Sequence, residues 1–187
     1  MRTLNVFNSV TLDGYFVGGA GDMSWAHNAT PDPEWDAFVD GNASGGGELL
    51  FGRITYQMMA GYWPTEAALK ANPTVAKGMN ASRKVVFSRT LPSADWSNTT
   101  LIKDDLVGAV RRMKAGEGPG MTILGSGAIV SQLTQAGLID SYQIVVVPVV
   151  IGAGRTMFDG VEGRIALKRA SCRAFANGRV VMGYERA

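Results

Sequence analysis

The sequence predicts an α/β fold, with a mainly parallel sheet covered by helices on both faces and an antiparallel hairpin at its C-terminal end. Three observations carry that prediction. Strand-like and helix-like runs alternate along most of the chain, the pattern of a parallel sheet with crossover helices. Residues 142–151 form a long β-branched run of the kind found in strands buried on both faces. In the tail, two strand-like runs, 166–175 and 179–185, flank Ala176-Asn177-Gly178, an asparagine–glycine hairpin signal.

Taken in order, residues 2–10 are rich in strand formers and stop at Thr11-Leu12-Asp13-Gly14, which supplies turn chemistry. Residues 18–33 hold Gly18, Gly19, Gly21, Asn28, Pro31 and Pro33, so a long loop is expected there. Pro33 suits the first position of a helix through Trp35, Phe38 and Val39, with Asp32 as its cap and Gly45-Gly46-Gly47 as its end. A short apolar strand over 48–51 leads through Gly52-Arg53 into a helix at about 55–60, and 61–81 reads as loop and short helix. Strands follow at 84–88 and 101–102. Residues 103–114 read as a helix, with Asp104 and Asp105 in its first turn and Arg111, Arg112 and Lys114 in its last, the charge order a helix dipole favours. A strand over 121–124 passes through Gly125-Ser126-Gly127 into a helix from Ala128 to about Ala136. Neither repeat nor low-complexity linker divides residues 1–187, which read as a single domain.

Composition excludes several classes of function. One cysteine, Cys172, makes no internal disulfide and builds no thiolate metal site; one histidine, His27, builds no multi-histidine centre. No metal is therefore expected. A net charge of +2 is weak grounds for nucleic-acid binding, and no apolar run approaches a membrane span. A cytoplasmic protein with a small-molecule substrate is the simplest expectation. Glycine is in excess, 24 of 187 residues, without a collagen period.

Some of that glycine marks chemistry. Leu49-Leu50-Phe51-Gly52-Arg53-Ile54-Thr55 and Ile123-Leu124-Gly125-Ser126-Gly127-Ala128-Ile129 are both strand–glycine–helix junctions. Glycine lets backbone approach a ligand, and the free N–H groups of the following helix attract phosphate. Each junction alone reads equally well as a tight turn. Two on one sheet, one carrying the planar charged fork of Arg53, favour a phosphate-rich ligand. The second junction is neither a Rossmann fingerprint, since Val130 stands where a third glycine belongs, nor a P-loop. Val85-Val86-Phe87-Ser88-Arg89-Thr90 ends a strand in two hydroxyls flanking an arginine, either a surface turn or a further phosphate contact.

Ser9-Val10-Thr11-Leu12-Asp13-Gly14, Gly52-Arg53-Ile54-Thr55, Ser88-Arg89-Thr90 and Gly125-Ser126-Gly127, in that order, resemble the dihydrofolate reductase-like superfamily. The likeness is to the branch containing the reductase domain of the riboflavin-pathway deaminase–reductase, and it spans nearly the whole chain. It implies a three-layer dihydrofolate reductase-like fold with a central sheet of about eight strands, NADPH across the carboxyl edge, and a homodimer. By the same likeness Gly52, Arg53 and Thr55 meet the cofactor phosphates. Ser88 and Arg89 surround the adenosine 2′-phosphate, Thr90 joins them in binding the cofactor, and Gly125, Ser126, Gly127, Ala128 and Ile129 cradle the pyrophosphate. Val10, Leu12, Asp13 and Gly14 border the nicotinamide. A charged hydrogen bond contributes about 1.5–3 kcal/mol, enough for Arg53 and Arg89 to separate NADPH from NADH.

The expected activity is NADPH-dependent reduction of a small planar heterocycle or carbonyl-like compound. Reduction of the ribosylaminopyrimidine phosphate of riboflavin synthesis or of a dihydropterin, and NADPH sensing without turnover, are the alternatives. Residues 18–47 are glycine-rich and acidic, unlike the phosphosugar-binding stretch of the riboflavin reductases. Two carboxylates are catalytic candidates. Asp13 either orients substrate or relays a proton, or else closes an Asx-turn onto Tyr15. Glu34 falls near the acidic residue that holds the pterin ring in dihydrofolate reductase, or else serves the helix dipole. Tyr56 and Trp63 are candidate substrate contacts, with core packing the default for Tyr56. His27 reads as a surface residue, Cys172 as a buried small apolar one, and Arg164, Lys168, Arg169 and Arg173 as a solvated face.

Overall fold

In β1 (Leu4–Thr11) the side chains of Leu4, Val6 and Asn8 are buried on one face of the sheet, while Phe7 packs on the other. This is the first strand of a computed structural model that describes residues 1–27 and 30–187. The long loop that follows contains the two-residue strand β2 (Val17–Gly18) and two single helical turns; Asn28 and Ala29 of that loop lie outside the described residues. Helix α1 (Pro33–Ser44) starts where the sequence predicts, with Asp32 Oδ1 accepting the N–H groups of Glu34 (3.0 Å) and Trp35 (3.2 Å). It stops at Gly45, and Gly46 and Gly47 turn the chain with positive φ.

Next come β3 (Glu48–Gly52), α2 (Arg53–Tyr62), α3 (Glu66–Ala71), α4 (Pro73–Ala81), β4 (Arg83–Phe87) and β5 (Thr99–Ile102). Helix α2 begins two residues earlier than the sequence suggested, directly on Gly52. Helix α5 (Leu106–Ala115) instead begins later than predicted. The Asp105 carboxylate accepts the Gly108 N–H (2.7 Å) and so caps the helix from outside it, which leaves Asp104 beyond the first turn. β6 (Met121–Leu124), α6 (Gly127–Gln135) and β7 (Ser141–Val147) follow. The expected strand over 142–151 is shorter because Pro148 interrupts it. Beyond it the Val149 carbonyl accepts the Leu12 N–H (2.9 Å), so the chain bends to the loop after β1. β8 (Gly154–Arg155) pairs with β2, and the tail is the predicted hairpin of β9 (Leu167–Ala174) and β10 (Val180–Arg186), turned by Gly178 at φ 84°.

The eight long strands form one sheet in the order β5-β4-β3-β6-β1-β7-β10-β9, parallel except for β10, which runs antiparallel to both its neighbours. Helices α5 and α6 cover one face over Leu4, Val6, Leu50, Ile123 and Ile144. On the other face α2 and α4 cover Phe51 and Val86, and α1 packs Trp35 and Phe38 near Phe175 and Val181. These are the three layers the resemblance implies. Cys172 is exposed, contrary to expectation, because β9 is an edge strand with all eight residues uncovered.

Candidate functional site

The parallel strands β4, β3, β6 and β1 lie side by side, so the loops leaving Phe87, Gly52, Leu124 and Thr11 share one sheet edge. Beyond β3 the chain enters α2 on one face; beyond the adjacent β6 it enters α6 on the other. Neighbouring strands whose continuations part in this way leave a crevice between them at the carboxyl edge, the usual ligand seat of an open α/β sheet. Both glycine junctions meet at that point.

They are joined there. The Gly52 N–H donates to Ser126 Oγ (2.9 Å), and the Ser126 N–H donates to Thr55 Oγ1 (3.0 Å). Ser126 Oγ in turn donates to the Leu124 carbonyl (3.0 Å). Gly125 has φ +59°, and a Cβ there would lie 2.6 Å from Thr55 Cγ2, so glycine is required on both conformational and steric grounds. A Cβ on Gly127 would come within 3.0 Å of the Phe16 ring. Ile129 and Val130 close their N–H groups onto the Ser126 carbonyl, which leaves Gly127 and Ala128 as the first-turn donors of α6. Asn8 steadies the junction from β1: its Nδ2 donates to the Gly125 carbonyl (2.9 Å) and contacts Met157 Sδ (3.2 Å). Sequence reading missed Asn8; the available signal is a polar side chain in register with the apolar Leu4 and Val6.

Arg53, at the first position of α2, is exposed, and its Nη1 donates to Gln57 Oε1 (3.2 Å) one turn on. Beside it, at the end of β4, Ser88 Oγ accepts the N–H groups of Thr90 (3.2 Å) and Leu91 (2.9 Å). That turn presents the exposed Arg89 at the same edge. Leu12 and Val150, each 65% exposed, are uncovered apolar side chains on the neighbouring β1 and β7 loops.

Asp13 does not close a turn onto Tyr15. Thr11 does so, its Oγ1 accepting the Tyr15 N–H (2.9 Å). The Asp13 carboxylate reaches across to the β7 loop and accepts the N–H groups of Gly152 (2.8 Å) and Ile151 (3.2 Å). Its pKa is held below the ordinary aspartate value chiefly by the Thr11 hydroxyl. A small loss of hydration opposes this, and the Gly152 and Ile151 N–H groups add to the lowering. Such a carboxylate is an acceptor near neutral pH.

Three sequence candidates lie apart from this cluster. Glu34 pairs with Arg173 of the edge strand β9 (2.5 Å). Tyr56 is buried against Phe51 and Trp96, and its hydroxyl accepts the Trp96 N–H (3.0 Å). Trp63 sits at the far end of α2, about 16 Å along the helix axis from Gly52, with its Nε1 donating to Met59 Sδ (3.0 Å). His27 is exposed, as expected. Among the described residues no helix is long and apolar enough to cross a membrane.

A family model described as the RibD C-terminal domain matches residues 2–181. A Bacillus subtilis (strain 168) protein, described as uncharacterized protein YyaP, is 28% identical over 176 residues, covering 94% of this chain and 90% of that protein. The fold is shared with a protein named for riboflavin biosynthesis from Shewanella sp. PV-4. The TM-score is 0.76 at 20% identity, over 100% of this chain and 99% of that one. It is also shared with a pyrimidine reductase-like protein from Corynebacterium diphtheriae, with a TM-score of 0.66 at 11% identity, over 100% of this chain and 92% of that one.

Proposed function

The chain belongs to the RibD C-terminal domain family, and from that premise we propose that it is a cytoplasmic NADPH-dependent reductase of a small planar heterocycle or carbonyl-like compound. The observation that carries this reading is the joining of two glycine–helix junctions at the point where β3 and β6 part, with two exposed arginines beside it. The donor set fits a dinucleotide phosphate. In this reading the Gly127 and Ala128 N–H groups hold the pyrophosphate at the N-terminus of α6. Arg53, Ser88 and Arg89 hold the adenosine 2′-phosphate, with Thr55 on the same side of the crevice. The β1 loop, from Val10 to Gly14, borders the nicotinamide, and Leu12 and Val150 supply apolar cover for its ring. Asp13 fixes the β7 loop against the β1 loop and so limits water at that end of the crevice. The bound cofactor would supply the hydride; the protein contributes orientation and exclusion of water. We also propose a homodimer, for which the uncovered edge strand β9 offers a surface.

Fluorescence titration with NADPH and NADH tests the cofactor reading. Wild type should bind NADPH more tightly. Arg53→Ala should weaken NADPH by about tenfold or more, consistent with loss of one charged hydrogen bond, and NADH much less. Absence of NADPH binding sinks the reading. Equal losses for both nucleotides remove Arg53 from the 2′-phosphate. Binding without turnover on a panel of pterins, pyrimidines and quinones would point to a binding module rather than a reductase.

A further inference from the structure

Ser126 is the residue at the crevice whose backbone needs outside support. Its φ of 59° and ψ of 49° place a non-glycine residue in the left-handed region, immediately before α6. An L-residue with a Cβ stays there only where its surroundings hold it. It is buried, at 8% exposure, and the support comes from across the crevice. Thr55, in the first turn of α2, accepts its N–H; Gly52, the residue before α2, donates to its hydroxyl. These two hydrogen bonds join segments 71 and 74 residues apart in the chain. Ser126 is also the residue whose carbonyl caps the first turn of α6, so its conformation sets where the Gly127 and Ala128 N–H groups point.

We propose that Thr55 and Ser126 are positioning residues that hold the N-termini of α2 and α6 in fixed relation, so that both phosphate-bearing parts of a dinucleotide meet donors already aimed. This rests on the dinucleotide reading above and assigns the pair a role distinct from direct phosphate contact. The Thr55 oxygen accepts from the protein. Its effect on the pyrophosphate is exerted through the conformation of Ser126. Gly125 and Asn8 complete the arrangement, the first by leaving room for Thr55 Cγ2 and the second by anchoring the Gly125 carbonyl. A preformed cradle spends less binding free energy on ordering loops when the ligand arrives.

The test uses the full chain and the variants Thr55→Val, Thr55→Ser and Ser126→Gly, with two probes. NADPH carries both phosphate-bearing parts; adenosine 2′-monophosphate carries only the 2′-phosphate. In wild type without ligand, the Ser126 amide should exchange slowly with solvent deuterium, and Thr55→Val should speed that exchange at least tenfold. Thr55→Val should also weaken NADPH about tenfold while changing adenosine 2′-monophosphate, measured by calorimetry, less than twofold. Thr55→Ser, which keeps the acceptor, should restore both the exchange rate and the affinity. Ser126→Gly keeps the left-handed backbone accessible but loses the hydroxyl, and combining it with Thr55→Val should cost less than the two single losses together. Equal weakening of both probes, or unchanged exchange at Ser126, overturns the positioning role while leaving the cofactor reading standing. A wild type that binds neither probe overturns both.

Discussion

Lys84 carries its ammonium into the core, and among the described residues no carboxylate pairs with it. The residue is 1% exposed, and its Nζ donates to the carbonyls of Met79 (2.8 Å), Asn80 (3.2 Å) and Ser82 (2.6 Å). It therefore satisfies the orphan acceptors at the end of α4 and places a positive charge where the helix dipole is negative. The face of Trp96 lies 4.4 Å from it. Burial nevertheless pushes the ammonium down to about 8 from 10.5. The sign follows from proton binding. Between those two values the unfolded chain binds more protons than the folded one, so this residue makes stability rise with pH across that window and leaves it flat below. Denaturant unfolding should show wild type gaining on the order of 3 kcal/mol relative to Lys84→Met from pH 8 to 10.5. Parallel curves for the two proteins would show that Lys84 keeps an ordinary ammonium. Nothing in the local sequence announces this residue, since a lysine opening a strand reads as a surface residue.

At the scale of elements, α1 and the C-terminal hairpin are tied through one carboxylate. Asp32 Oδ1 caps α1, while Oδ2 accepts the Asn177 N–H at the hairpin turn (3.0 Å). Burial alone would raise its pKa. The N–H groups of Asn177, Trp35 and Glu34 outweigh that and hold it below 3.8. A carboxyl lowered in the fold contributes stability above its unfolded pKa and loses it as pH falls through the folded value. Asp32→Asn, which keeps a capping oxygen but not the charge, should melt a few degrees below wild type at pH 7. The two should converge at pH values below the folded pKa; a constant gap down to acid would assign the loss to shape rather than charge. The cap was legible in the sequence because capping is local: aspartate before Pro33 and a helical run suffices. The bond to Asn177 spans 145 residues, and no local pattern contains it.

For the whole molecule, the sheet order decides what the parts do. Its open side is β9, eight residues exposed throughout. If a second copy covers that edge, sedimentation equilibrium should give about twice 19.9 kDa at micromolar protein; a single-chain mass across the accessible range removes the dimer. The sequence by itself determined the alternation of strands and helices, the hairpin, the cap of α1, and the strand–glycine–helix junctions at Gly52 and Gly125. Each of these is written in residues within a few positions of one another, where backbone propensity, capping and turn chemistry act. Only the tertiary structure decided that these junctions are neighbours and that Thr55 and Gly52 brace Ser126. It also decided that Asn8 anchors Gly125 and that Asp13 is bonded to the β7 loop, 138 and 139 residues away. It set the Tyr56 hydroxyl under the Trp96 backbone N–H, 40 residues away, and Glu34 against Arg173. The reason is physical. Strand order and register bring together groups that the chain keeps far apart, and hydrogen bonds at such distances depend on that order rather than on any spacing the sequence displays.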